Sequence, residues 1–116
     1  MSIDPRRWGP GMWRSIHWIA AAYPNEPTLH DKSAYNTYFT SLGNVLPCKT
    51  CRQEYKLKIQ HDPIRLESRR ALQLWCSKLH NDINRRVHGR VFDYPASQLD
   101  IDYSNEQVCK TCQNKQ

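Results

Sequence analysis

The sequence predicts an all-α protein, a four-helix bundle with a short fifth helix. Apolar side chains recur at helical spacing through four separate stretches. No hairpin dipeptide lies between alternating apolar runs, so strand signals are poor. Proline and glycine punctuate the periodic stretches, and the chain contains no internal repeat or low-complexity tract.

A first helix is expected from about Met12 to Tyr23, with Trp13, Ile16, Ile19, Ala20 and Tyr23 on one stripe and the breaker YPNEP behind it. A second runs from about Asp31, in the N-cap role, to Leu46; Tyr35, Tyr38, Phe39, Leu42, Val45 and Leu46 form its buried face, and Pro47 stops it. The third begins at Cys48 and continues to about Gln60, before HDP. The fourth spans about Leu66 to Val87, with Leu72, Trp75, Cys76, Leu79, Ile83 and Val87 on one face. A short fifth helix follows Pro95. Bundles of this kind hold cofactors between facing helices.

A length of 116 residues suits one domain. With 39% hydrophobic and 24% charged residues the chain lies outside the disordered class. The net charge of +6 would suit an anionic partner, but the lysines and arginines are scattered and interleave with no stacking platform, so nucleic acid is not expected. No apolar run approaches the roughly 20 residues of a membrane span. The stretch MSIDPRRWGPGMW lacks the apolar core of a signal peptide, which leads to the expectation of a cytoplasmic protein.

Five cysteines in such a protein point to metal binding or redox chemistry. CKTC occurs twice, at Cys48–Cys51 and Cys109–Cys112, and four thiolates could hold zinc. Against zinc, 57 residues separate Cys51 from Cys109, and they read as long helices rather than knuckles. A thioredoxin-like site would need strands around its CxxC. At a helix N-terminus, with Lys49 and Arg52 beside them, Cys48 and Cys51 are expected to favour thiolate. Three positions apart they share a face, and a disulfide closing so short a loop stabilises little. That favours a redox dithiol over a static clasp. A polar, planar acceptor is suggested elsewhere: Trp13 and His17 share a face, as do His80 and Asn84, and the amides Asn81 and Asn84 need partners if buried.

Taken in order, Gly9, Trp13, His17 and Tyr23–Pro24, then LPCxxC, then Trp75 before HNxxN, resemble the small FAD-linked sulfhydryl oxidases of the Erv and augmenter-of-liver-regeneration family, in their minimal viral form. The resemblance covers Trp8 to Phe92. It implies a helical bundle holding FAD, usually as a homodimer, that oxidises protein dithiols and passes the electrons to oxygen with release of hydrogen peroxide. It further implies Cys51 as the flavin-proximal cysteine and Cys48 as the outer one. Gly9, Trp13, His17, Tyr23 and Trp75 would line the cofactor, His80, Asn81 and Asn84 would meet its adenine and ribose, and Arg86 and Arg90 its pyrophosphate. RRVHGR stands where the family more often carries a lysine. Residues 1–102 would form the catalytic core, and 103–116 a tail whose Cys109 and Cys112 shuttle electrons from substrate. Cys76 reads as a buried free thiol. No metal is expected.

Overall fold

The chain forms five helices: α1 (Pro5–Ala21), α2 (Leu29–Val45), α3 (Lys49–His61), α4 (Arg69–His88) and α5 (Ala96–Asp102). The computed structural model describes residues 1–88, 96–104, 109 and 111, and no strand occurs among them.

The first helix starts seven residues before the expected Met12. The Asp4 carboxylate accepts from the Arg6 backbone N–H at 3.0 Å, and Pro5 occupies the first helical position, where no N–H is needed. The Gly9-Pro10-Gly11 run, which reads as a break, is helical. Pro10 removes one backbone donor there, at the cost of the bond that Arg6 C=O would have accepted.

At α2, Thr28 is the N-cap and Asp31 the third helical residue. The Asp31 N–H donates to Thr28 Oγ1 at 3.1 Å, and the Thr28 N–H donates to Asp31 Oδ2 at 2.9 Å, a reciprocal capping box. This corrects the expected N-cap role of Asp31. The start of α4 also moves, to Arg69: the Ser68 hydroxyl accepts from the Ala71 N–H at 3.1 Å, which places the cap after Leu66.

In space α1 packs on α4, α2 on α3, and α5 on α4. One core joins Ile16, Ala20 and Tyr23 with Phe39, Leu42 and Leu46, Tyr55, and Leu72, Trp75, Cys76 and Leu79. Val45 is not part of it. With Leu42 and Leu46 on the inner face, Val45 turns outward and is 65% exposed. Gly43 lets α3 come close to α2, since a Cβ there would lie 2.8 Å from Lys56 Cγ.

Aromatic side chains fasten the connections to the helices. Tyr23 donates its hydroxyl to Leu66 O at 2.7 Å, while Arg69 Nε donates to Tyr23 O at 2.6 Å. Trp75 Nε1 donates to Asp62 O at 2.9 Å, and the Tyr55 hydroxyl to Phe39 O at 2.6 Å. Each buries a large ring and satisfies its polar tip.

Candidate active site

Pro47 ends α2 and Cys48 caps α3, so the CxxC sits where the chain turns between the two paired helices. Cys48 has extended backbone, and its Sγ accepts from the Cys51 N–H at 3.2 Å. It is 8% exposed. Cys51, one turn into the helix, faces a cavity of about 470 Å³, within the roughly 300–1,000 Å³ typical of cofactor pockets.

The electrostatics of Cys51 run against the sequence expectation. Desolvation, then the Cys48 sulfur beside it, then Glu54, push its thiol up, and the backbone N–H counteracts them only in part. Arg52 does not reverse this, because its guanidinium donates to Leu46 O at 2.6 Å. Reduced Cys51 is therefore held as a thiol at neutral pH. Cys76 is buried and carries a free thiol, likewise pushed up by desolvation.

The cavity lies between α1, the α2–α3 pair and α4. Gly9 and Trp13 form one wall, Leu42, Leu46 and Tyr55 contribute apolar floor, and His80, Ile83 and Asn84 come from α4. Trp13 and His80 stack with centroids 4.1 Å apart and planes 12° from parallel. Behind them, His17 Nε2 and His80 Nδ1 lie 3.0 Å apart, one nitrogen donating to the other. Tyr103 closes this end, its ring 5.0 Å from His17 and edge-on to Trp18 at 4.9 Å.

Desolvation holds His17 down to about 4, and desolvation with the neighbouring His17 holds His80 down to about 4. Both rings are neutral at pH 7. The unfolded chain binds these protons near 6.5, so the stability contributed is complete above that pH and is lost as pH falls towards 4. Between pH 7 and 5 the fold should lose on the order of 2–3 kcal/mol through this pair. Thermal melts across that range should show a falling midpoint that His17→Gln/His80→Gln flattens. Asp4 and Asp31, held below the usual carboxylate range by hydrogen bonds from Arg6 and Thr28, act only at lower pH.

Five of the residues singled out in the sequence meet at this cavity: Gly9, Trp13, Cys51, His80 and Asn84. His17 supports His80 from behind. Asn81 is half-buried next to them on α4, off the cavity lining. Tyr23 and Trp75 lie in the core instead, since their polar tips reach backbone carbonyls of the α3–α4 connection. Arg86 pairs at 2.9 Å with Glu54, which lines the cavity, and is not itself on the lining. Arg90 and Cys112 lie outside the described residues, and Cys109 is exposed, its Sγ 3.0 Å from Thr111 Oγ1.

The cavity's cations are Arg6 and Arg14, which the sequence reading missed together with Tyr103. Arg6, Gly9, Pro10 and Trp13 recur at helical spacing, a signal hidden by starting α1 at Met12. The site fits FAD. A mostly apolar slot carries a stacked indole and imidazole, an amide, the Glu54 carboxylate, the Arg14 guanidinium and that of Arg6, itself paired to Asp4 at 2.8 Å, and a Cβ at Gly9 would meet nothing within 4 Å. Among the described residues no three His, Cys, Asp or Glu side chains converge as a metal set.

Residues 10–104 match the Erv1/Alr family. The chain belongs to that family. It is 35% identical over 96 residues to a probable FAD-linked sulfhydryl oxidase of Acanthamoeba polyphaga mimivirus, covering 80% of this chain and 67% of that one. It is 28% identical over 90 residues to the mitochondrial FAD-linked sulfhydryl oxidase ERV1 of Saccharomyces cerevisiae, covering 78% and 48%. The chain thus spans between about half and two thirds of the length of such relatives. Its fold is similar to the crystal structure of the yeast Erv1 core, with a TM-score of 0.82 at 21% identity over 93% of this chain and 90% of that one. As a member of the Erv1/Alr family the chain has the helical core foreseen from its apolar stripes. Among the described residues no helix is long and apolar enough to cross a membrane.

Proposed function

We propose that the chain is an FAD-linked sulfhydryl oxidase that converts protein dithiols to disulfides. The observation that carries this reading is the placement of Cys51 on the cavity that also holds the Trp13–His80 stack. Membership of the Erv1/Alr family supports it. The chemistry FAD supplies when bound there is acceptance of two electrons from a dithiol and their transfer to oxygen, released as hydrogen peroxide.

The chain's own residues perform the exchange and shape the slot. With Cys48 and Cys51 joined, a substrate thiolate attacks Cys48 Sγ; the new bond forms as the Cys48–Cys51 bond breaks, and Cys51 leaves as thiolate. The substrate's second thiolate then displaces Cys48, so the substrate gains a disulfide and the chain holds two thiols. Trp13, His80 and Asn84 orient the cofactor, and Leu42, Leu46 and Ile83 exclude water around it. Arg14 would supply charge to the pyrophosphate, and Arg6 would do so on leaving Asp4, its partner at 2.8 Å.

Residues 1–102 form the catalytic unit in this reading, with Tyr103 packed on it, and the following residues act as an arm. A homodimer belongs to the same reading, as the family resemblance implies. Oxygen uptake with stoichiometric peroxide on adding dithiothreitol tests the activity; a flavin-loaded protein that consumes no oxygen contradicts it.

The tail is assigned as a shuttle through Cys109 and Cys112. Cys109→Ser/Cys112→Ser should slow oxidation of an unfolded protein dithiol by about tenfold while leaving dithiothreitol oxidation near wild type, since a small dithiol reaches Cys48 directly. Parallel oxygen-electrode assays on the two substrates check this. Equal loss on both, or none on the protein, removes the shuttle.

A further inference from the structure

The outer cysteine has a cover that belongs to neither the helices nor the cavity. Ser2 Oγ accepts from the Lys49 N–H at 2.9 Å, and the Ile3 N–H donates to Pro47 O at 2.7 Å. These two bonds bracket Cys48, one on each neighbouring residue. A third, from Trp8 Nε1 to Ile3 O at 2.9 Å, ties the segment to α1. Between the two bonded residues Cys48 is 8% exposed, while Ile3 is 49% exposed. The covering segment is thus a short strap with little apolar burial, and such segments open at low free-energy cost.

The strip under the strap has the form of a polypeptide seat. The chain is extended at Cys48, with φ of −158° and ψ of 123°, directly after a tight turn in which the Cys48 N–H donates to Leu46 O at 2.8 Å. It presents a carbonyl at Pro47 and an N–H at Lys49. An extended partner satisfies these with its own backbone or a short polar side chain, as Ser2 and Ile3 do.

We infer that Ser2–Ile3 is an intramolecular stand-in for the backbone of an extended dithiol polypeptide, which displaces it from the Pro47–Lys49 strip to reach Cys48. The inference rests on the oxidase reading for its substrate class, whereas the cover itself does not. When the strap leaves, the substrate backbone takes over the Pro47 carbonyl and Lys49 N–H. The substrate sulfur then bonds to Cys48 Sγ as the Cys48–Cys51 bond breaks and Cys51 leaves as thiolate, so no further oxidant enters the step.

The test uses the full chain with Ser2→Ala/Ile3→Pro, which removes both bracketing bonds, and Ser2→Ala as the milder variant. In the reduced protein, alkylation by iodoacetamide is followed by peptide mapping; trypsin cleaves after Lys49 and so separates Cys48 from Cys51. Cys48 alkylation should rise about tenfold in the double variant and less in the single one, with Cys76 still protected. An unchanged Cys48 rate overturns the cover, and so does a rise shared by Cys76, which would mean general loosening. In the oxidised protein carrying Cys109→Ser/Cys112→Ser, where the tail cannot relay and a protein dithiol must reach Cys48 itself, the strap double variant should react faster with an unfolded reduced protein by a larger factor than with dithiothreitol. Equal factors overturn the polypeptide seat. Faster alkylation in a protein that consumes no oxygen leaves the cover standing and removes the oxidase reading instead.

Discussion

Cys51→Ser should retain FAD and lose dithiol oxidation by on the order of a thousandfold or more, because a hydroxyl cannot carry the thiol–disulfide exchange. The change is nearly isosteric at a half-buried site on the first turn of α3, so folding should be little affected. Cys48→Ser should fail equally. Serine is a favourable N-cap residue, and its oxygen can take over the Cys51 N–H that Cys48 Sγ now accepts at 3.2 Å. The helix start survives in that variant, and the loss is chemical. Oxygen uptake with dithiothreitol, together with the flavin content of each purified variant, checks the pair. Near wild-type turnover in either variant would remove that cysteine from the exchange.

Removing FAD should lower the melting temperature by on the order of 15 °C when the loaded protein is measured at about a thousandfold excess over Kd. A ligand that binds only the folded state contributes about 4 kcal/mol at that excess, and a domain of this length shifts by several degrees per kcal/mol. The cavity of about 470 Å³ lies between α1, the α2–α3 pair and α4, so its contents join elements that otherwise meet only in part. Calorimetry of the loaded and stripped forms across FAD concentrations should show a midpoint that climbs with ligand. A midpoint independent of FAD would mean that the cavity does not bind it.

Much of this architecture is legible in the sequence because burial imposes a period. Ile16 and Ala20, Phe39 and Leu42, and Leu72, Cys76 and Leu79 fall on stripes that the structure buries. The dithiol is legible because proline followed by CxxC marks a helix start. Starting points that depend on side-chain caps are less so: Asp31 and Thr28 both suit an N-cap, and only the reciprocal bonds choose Thr28. The helical Gly9-Pro10-Gly11 run was hidden because local propensity argues for a break, while packing of α1 on α4 overrides it.

Within the site, Tyr23 and Trp75 illustrate a different limit. A large aromatic on a buried stripe suits either a cofactor wall or a core clasp, and what decides is the carbonyl within reach of its polar tip, Leu66 O for one and Asp62 O for the other. Arg86 was similarly diverted by Glu54 across the α3–α4 gap. The raised thiol of Cys51 was invisible for another reason: the helix N-terminus is a sequence feature, but desolvation by cavity walls from three other helices is not.

In the proposed exchange Cys51 delivers the dithiol's electrons into the cavity between α1 and α4. An anaerobic titration of the flavin-loaded protein with dithiothreitol tests it most directly, following the visible flavin absorbance in wild type and in Cys51→Ser. The wild-type flavin should bleach once dithiol equivalent to the protein's disulfides plus its flavin has been added, whereas Cys51→Ser should show no bleaching on the same timescale. Bleaching of the variant at the wild-type rate, or a wild-type protein that binds no flavin, would contradict it.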